Sequence, residues 1–315
     1  MTHASELAPR ALEGDRRSLG RLLSLVEDDP LAAAEISEID GTHSPGTRVV
    51  GITGAPGSGK STLTNRLVVL MRERSETVAV IAVDPTSPFS GGALLGDRIR
   101  MNEHASDGGV YIRSMANRGH LGGISAAVPQ AVRVLRAAGF EWILLETVGV
   151  GQVEVEIASQ ADLTIVVLTP GWGDHVQASK AGLLEVADLF VVNKADRPGA
   201  RTTVRDLRTE LTLGGPTARR PPILETQAHN GEGVAELDAT VQRLYEELAL
   251  SGELEDRRTS RLRAEIIQQA TTLRLVELSG AWSDDLVGTM VQRVRAGELT
   301  ALAAARELAN LTSPG

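Results

Sequence analysis

The 315-residue sequence contains no cysteine. That absence removes disulfides, thiolate zinc sites, iron–sulfur ligation and thiol nucleophiles together, and it fits a reducing compartment, expected here to be the cytoplasm. Long apolar runs are missing too. Leu163–Leu168 and Trp142–Leu145 fall far short of the ~18 residues that a spanning helix needs, and Met1–Arg10 has no apolar signal core, so a soluble protein is expected. Positive charge is in short supply: 32 Lys+Arg stand against 41 Asp+Glu, for a net charge of −9. A chain so charged is poorly suited to hold a polyanion, so neither nucleic acid nor an anionic membrane surface is an expected partner. Scarcest of the basic residues is lysine. Lys60, Lys180 and Lys194 are the only three, and every other basic residue is arginine. Lysine is then kept where a compact ammonium fits and a planar guanidinium does not, or else by chance.

What the sequence does have is enough apolar material, 42% against 23% charged residues, to bury a sizeable core in one large domain or two smaller ones. From Glu6 to Asp40 the pattern reads as helix, with Leu19, Leu22, Leu23 and Val26 at helical spacing. Asp40-Gly-Thr-His-Ser-Pro-Gly46 is a punctuated linker. Short, continuous apolar runs follow at Arg48–Thr53, Thr77–Val83, Glu141–Leu145, Leu163–Leu168 and Leu189–Val192, with helical stretches at Lys60–Arg74 and Gly122–Ala138. Strands covered on both faces and alternating with helices predict an α/β fold with a doubly wound, mostly parallel sheet. Val234–Leu250 is an amphipathic helix that closes the sheet domain. Beyond it, Glu255–Leu278 and Asp284–Leu311 are helical, interrupted by Gly280, Gly288 and Gly297. The expected organisation is an N-terminal helical extension over 1–45, a sheet domain over 46–250 and a C-terminal helical arm over 251–315. Two such helices cannot easily bury their stripes on each other alone, so they are expected to pack on the main domain or on a second subunit.

Gly54-Ala55-Pro56-Gly57-Ser58-Gly59-Lys60-Ser61, followed by Thr62, satisfies G-x-x-x-x-G-K-[ST] after a strand and at the opening of a helix. Its glycines let backbone N–H groups curl round phosphate oxygens, and the helix N-terminus adds positive potential. Lys60 is expected to reach the β and γ phosphates and Ser61 to ligate Mg²⁺. Asn193-Lys194-Ala195-Asp196 directly follows another apolar run. A carboxylate at Asp196 can accept from N1–H and the 2-amino group of guanine, neither of which adenine offers, so GTP is expected over ATP. Ile223–Thr226 leads into Gln227-Ala228, where a backbone amide can contact the guanine O6. Between these motifs, Asp84 and Glu146 end apolar runs and Asp97 follows a glycine-rich segment. Carboxylates there face the ligand crevice of a parallel sheet, where each can hold Mg²⁺ directly, hold it through waters, polarise the attacking water, or merely cap a helix. Gly149 can sense the γ-phosphate through its N–H. Val150 stands where many small GTPases place a water-orienting glutamine, which predicts slow intrinsic hydrolysis; Gln152 is nearby.

These motifs, with Val-Asp-Pro-Thr-Ser-Pro-Phe-Ser-Gly-Gly at 83–92, Leu-Gly-Asp-Arg-Ile-Arg-Met at 95–101, Arg-Gly-His-Leu-Gly-Gly at 118–123 and Glu-Thr-Val-Gly-Val-Gly-Gln at 146–152, closely resemble the methylmalonyl-CoA mutase-associated GTPases. This is the MeaB/ArgK group of P-loop GTPases, which includes the mitochondrial methylmalonic aciduria type A protein. The resemblance covers nearly the whole chain. It implies a homodimeric GTPase, a chaperone that couples nucleotide state to cofactor loading and protection of an adenosylcobalamin-dependent acyl-CoA mutase, working alongside the mutase's adenosyltransferase. By the same resemblance, Lys60 and Ser61 match the phosphate and Mg²⁺ positions, Asp84, Asp97 and Glu146 the metal-site and catalytic acids, and Asn193, Lys194 and Asp196 the base-recognition motif. The segment with Asp174, Gln177 and Lys180 is similar to the family's partner switch loop, and the C-terminal helices to its dimerisation arm. Two departures stand out: Gln227 where the family has serine, and His175-Val176 where it has an acidic and an aliphatic residue.

An alternative of another class is a kinase acting on a small molecule or on a transport-related binding protein. It needs an acceptor beside the γ-phosphate and normally uses ATP, which Asp196 argues against. Nickel or zinc insertion needs soft or imidazole ligands, and the six histidines form no H-x-H or H-x₃-H pair.

Overall fold

Arg48–Thr53 (β1), Val78–Pro85 (β2), Val110–Asn117 (β3), Trp142–Thr147 (β4), Leu163–Leu168 (β5), Leu189–Asn193 (β6) and Ile223–Thr226 (β7) form one sheet in the order β3-β2-β4-β1-β5-β6-β7. Every neighbouring pair is parallel. The computed structural model describes residues 4–28, 46–85, 104, 106–117, 127–147, 158–171, 177–213 and 220–311. The chain leaves central β1 toward β2 on one side and later crosses to β5 on the other. That reversal makes the carboxyl ends of β1, β4 and β5 the place where a crevice opens.

Helices cover both faces, as fully apolar strands require. Lys60–Glu73 (α3) and Val234–Ser251 (α7) pack on the face carrying Val50, Ile52, Trp142 and Leu144. Ala4–Leu12 (α1), Arg16–Asp28 (α2) and Ala127–Ala137 (α4) pack on the face carrying Val49, Ile81, Ile143 and Leu145. Beyond β5, Gln177–Val186 (α5) and Ala200–Leu213 (α6) cover Val166 and Phe190 through Leu183 and Leu207. Alternation along β4 is clear: Trp142 and Leu144 face α3, whereas Ile143 and Leu145 face α4.

Three expectations are corrected. The stretch expected as one helix from Glu6 is two helices, because Gly14 takes φ +96° and Asp15 caps α2. Asp15 accepts from Ser18 Oγ at 2.6 Å and Arg17 N at 3.0 Å, and these bonds hold its carboxyl below the ordinary value. Residues 29–40 of that stretch lie outside the described residues. Strand β3 is absent from the sequence-based expectation; its outer residues Tyr111–Ser114 are only half-buried, and Arg113 reaches α2, pairing with Glu27 at 2.9 Å and donating to Gly20 O and Ser24 Oγ. Finally, the stretch expected as one helix over Asp284–Leu311 is two helices, parted near Gly297 at φ +77°.

At the amino ends of β5 and β6 sit two buried carboxylates. Asp162 accepts from Val49 N (3.1 Å), Tyr245 Oη (2.9 Å) and Arg258 (2.9 Å), while Asp188 accepts from Thr164 N (2.8 Å) and both terminal nitrogens of Arg257 (2.9 Å). Burial, then the Asp162 carboxylate, push the Tyr245 phenol well above its ordinary value, so it stays protonated and donates. Removing one partner of a buried pair strands the other charge. Arg258→Ala is therefore expected to cost about 3 kcal/mol of stability, read as a lower urea midpoint at unchanged slope; an unchanged midpoint would deny the clamp this role.

The chain divides into two units, Met1–Arg258 and Thr259–Gly315. The second holds most of Glu253–Ala281 (α8) with Asp284–Arg295 (α9) and Ala301–Leu311 (α10). Ser283 caps α9 by accepting from Leu286 N. Arg293 bonds Glu307 at 2.6 Å, and Trp282 Nε1 donates to Leu308 O, so residues flanking both ends of α9 are tied to neighbouring positions on α10. Leu262, Ile266, Ile267 and Leu273 of α8 are exposed.

Candidate functional site

Strand β1 ends at Thr53 and the chain enters a loop that only glycine can build at two points. Gly54 takes φ +136° and a Cβ there would strike Val167 O; Gly59 takes φ +93° and a Cβ there would strike Asn193 Nδ2. Gly57 also has positive φ, while Ala55, Pro56 and Ser58 fill the curve between. Gly59 is the N-cap of α3 and accepts from Leu63 N at 2.9 Å, so the helix starts on Lys60, Ser61 and Thr62 and its N-terminal turn lies directly at the loop. Lys60 is buried, and its Nζ donates to Gly54 O at 2.6 Å and Ala55 O at 3.1 Å. An ammonium held by two carbonyls of the loop it serves is already inside the cradle.

Register brings the acids to the same edge. Ile52 pairs with Glu146, which has the parity of Trp142 and Leu144 and so faces α3. There Ser61 Oγ donates to Glu146 Oε1 at 2.5 Å, with Glu146 fully buried. Behind them Thr147 Oγ1 and Thr53 Oγ1 lie 3.3 Å apart. A hydroxyl and a carboxylate meeting at the mouth of the loop are hard oxygen donors that suit Mg²⁺, so the residues present fit that ion. Asp84 lies near the end of β2 at the same edge, in register with Ala116 of β3. Asp97, Gly149, Val150, Gln152 and Asp174 lie outside the described residues, as do His175 and Val176. Gln177 and Lys180 fall in the first turns of α5.

The second motif locks onto the first. Asn193, buried at the end of β6, donates through Nδ2 to Ser58 O at 2.8 Å and accepts through Oδ1 from Ala228 N at 3.0 Å and Thr226 Oγ1 at 3.1 Å. Lys194 adopts φ +58° and donates from Nζ to Gly57 O at 2.6 Å. Two of the three lysines thus place their ammonium groups on carbonyls of one loop. Asp196 is exposed on the same turn, outside the β6 core. Gln227 N donates to Glu232 O at 2.9 Å, so the amides of both Gln227 and Ala228 have acceptors within the protein. The Gln227 side chain accepts from Asn230 Nδ2 at 3.1 Å, which accommodates glutamine where serine is usual. Thr226, the hydroxyl that completes Asn193, is not among the expected residues; a threonine ending a short strand carries no signal by itself.

Phosphate-loop amides, a buried lysine, a hydroxyl–carboxylate pair and an exposed aspartate on a turn bonded to that loop can hold a nucleotide triphosphate and read its base. Residues 19–281 match the family described as methylmalonyl Co-A mutase-associated GTPase MeaB. A putative GTPase of Pyrococcus abyssi is 49% identical over 265 residues, 83% of this chain and 82% of the relative. The mitochondrial methylmalonic aciduria type A homolog of Mus musculus is 33% identical over 266 residues, 78% and 64% of the two chains. A crystal structure described as a LAO/AO transport system kinase superposes with a TM-score of 0.66 at 25% identity, covering 98% of this chain and 97% of that one.

Proposed function

Because the chain belongs to the MeaB family of methylmalonyl-CoA mutase-associated GTPases, we propose that this GTPase serves as a chaperone of an adenosylcobalamin-dependent acyl-CoA mutase, with methylmalonyl-CoA mutase the first candidate. Its nucleotide state governs loading of the mutase's cofactor, alongside the adenosyltransferase, and protects the mutase from inactivation. The observation that carries the guanine half of this reading is Asn193, bonded at once to Ser58 O of the phosphate loop and to Ala228 N beside the base turn. Lys60 binds the β and γ phosphates, Ser61 and Glu146 hold Mg²⁺ together with Asp84 and Asp97, and Asp196 pairs with the guanine edge. Held by these residues, Mg²⁺ would supply positive charge to the phosphates during hydrolysis. With Val150 in place of a water-orienting glutamine, hydrolysis is slow until a partner completes the site.

The mutase is proposed to sense nucleotide state through the segment containing Asp174, Gln177 and Lys180. A homodimer forms through the C-terminal helices, supported by the exposed Leu262, Ile266 and Leu273, which recur at helical spacing on α8. No helix among the described residues is long and apolar enough to cross a membrane. The reading is tested by calorimetric titration of the mutase against the GDP-bound protein and against the protein with a non-hydrolysable GTP analogue. Affinities differing by about tenfold, or 1.4 kcal/mol, are expected; no binding, or equal binding in both states, would overturn it. Lys180→Ala is expected to keep GTP affinity within about twofold, well under a tenfold step of 1.4 kcal/mol, while losing stimulation of hydrolysis by the mutase. Full stimulation of that variant would move the switch elsewhere.

A further inference from the structure

On α3, a turn and a half beyond Lys60, Arg66 points away from the phosphate loop and across to the turn that follows β7. Its Nε donates to Ala228 O at 3.2 Å and its Nη2 to His229 O at 2.9 Å. The planar fork of a guanidinium can meet two successive carbonyls in this way; an ammonium offers no such fixed pair of donors. The turn itself is closed by Gln227 N to Glu232 O, Asn230 Nδ2 to Gln227 Oε1 and Glu232 N to Asn230 Oδ1. It therefore moves as a piece, and what fixes its position relative to the phosphate helix is what joins it to α3 and to β6.

Ala228 is held at both ends of its peptide. Its N–H goes to Asn193 Oδ1, whose Nδ2 reaches Ser58 O in the phosphate loop, and its C=O goes to Arg66 on the helix that the same loop opens. Phosphate loop, Asn193, Ala228, Arg66 and α3 form a closed ring of bonds. We propose that Arg66 is a positioning residue for guanine recognition: it fixes the Gln227–Ala228 turn against the phosphate helix, so that base and phosphate subsites keep one spacing. The inference rests on reading Asn193–Asp196 as the guanine motif. Arg66 touches neither base nor phosphate in this scheme and acts through the turn alone.

The experiment measures binding of GDP, ADP and inorganic tripolyphosphate to the full chain, as wild type, Arg66→Lys and Arg66→Ala, by calorimetry. Tripolyphosphate occupies the phosphate cradle with no base. Arg66→Ala is expected to lose about tenfold in GDP affinity, as for loss of charge-assisted hydrogen bonds that are partly solvated, with tripolyphosphate and ADP unchanged. Arg66→Lys, which keeps the charge but not the fork, is expected between the two. GDP affinity unchanged in Arg66→Ala overturns the inference, and so does a parallel fall in tripolyphosphate, which would assign Arg66 to the integrity of α3. If the wild type itself binds GDP no better than ADP, the guanine reading fails and the inference fails with it; a wild type that prefers GDP and an indifferent Arg66→Ala remove the inference alone.

Discussion

Lys60→Ala is expected to lower kcat/KM for GTP hydrolysis by about 10³-fold, or roughly 4 kcal/mol of lost transition-state stabilisation. The ammonium is buried at the base of the phosphate loop and already bonded to Gly54 O and Ala55 O, so little ordering is needed before it meets phosphate charge. Nothing else described in the loop carries a positive side chain inward: Lys194 lies on the exposed side, at Gly57 O. Backbone N–H groups remain in the variant, yet partial charges cannot replace a full one where negative charge accumulates. Lys60→Arg is not expected to retain activity, because a guanidinium needs room and a planar pair of acceptors where the loop closes on a point charge. Phosphate release at limiting GTP measures this. A loss under tenfold in Lys60→Ala would contradict the assignment of the loop.

Asp196→Asn is expected to lower GDP affinity by two to three orders of magnitude, since hydrogen bonds to a charged acceptor contribute about 1.5–3 kcal/mol each and two are involved. The same variant is expected to gain affinity for xanthosine diphosphate. A carboxamide accepts from N1–H through its oxygen and donates to the 2-oxo group through its nitrogen, where a carboxylate would repel that oxygen. Fold damage cannot imitate such an exchange, because Asp196 is exposed and holds no part of the core. Competition of GDP, XDP and ADP for one labelled nucleotide measures it. Loss of all three, or retention of GDP, would remove Asp196 from the base site.

Legibility in the sequence follows whether the relevant residues are neighbours along the chain. Gly54–Ser61 and Asn193–Asp196 are contiguous, each at a strand end, and local geometry is what they encode; the loop bends and the Lys194 turn are where those residues sit. Apolar strands alternating with amphipathic helices point to the parallel sheet for the same reason, since burial on two faces leaves an apolar run. Strand β3 escapes because it lies at the sheet edge, with Tyr111–Ser114 half-buried and Arg113 spent on α2. The bond from Ser61 to Glu146 spans 85 positions, and that from Arg66 to His229 spans 163. Arg257 and Arg258 likewise look like any solvated helix start until Asp188 and Asp162 are brought beneath them. Such pairs depend on tertiary placement, which no spacing rule encodes. Lysine scarcity sits between the two cases: it marks Lys60 and Lys194 as positions where shape matters, and only the fold puts both on one loop.

On the proposed reading, guanine specificity and hydrolysis at one site, built from the phosphate and base motifs together, would set this chain apart from a kinase. The decisive measurement follows γ-phosphate from GTP and from ATP, side by side, into water and into added acceptors, with and without the mutase. Slow release of inorganic phosphate from GTP is expected, at least about 10²-fold better than from ATP, a gap of about 2.7 kcal/mol from the hydrogen bonds to the Asp196 carboxylate that guanine offers and adenine lacks, with no transfer to an acceptor. Preference for ATP, or phosphate appearing on an acceptor, would contradict it.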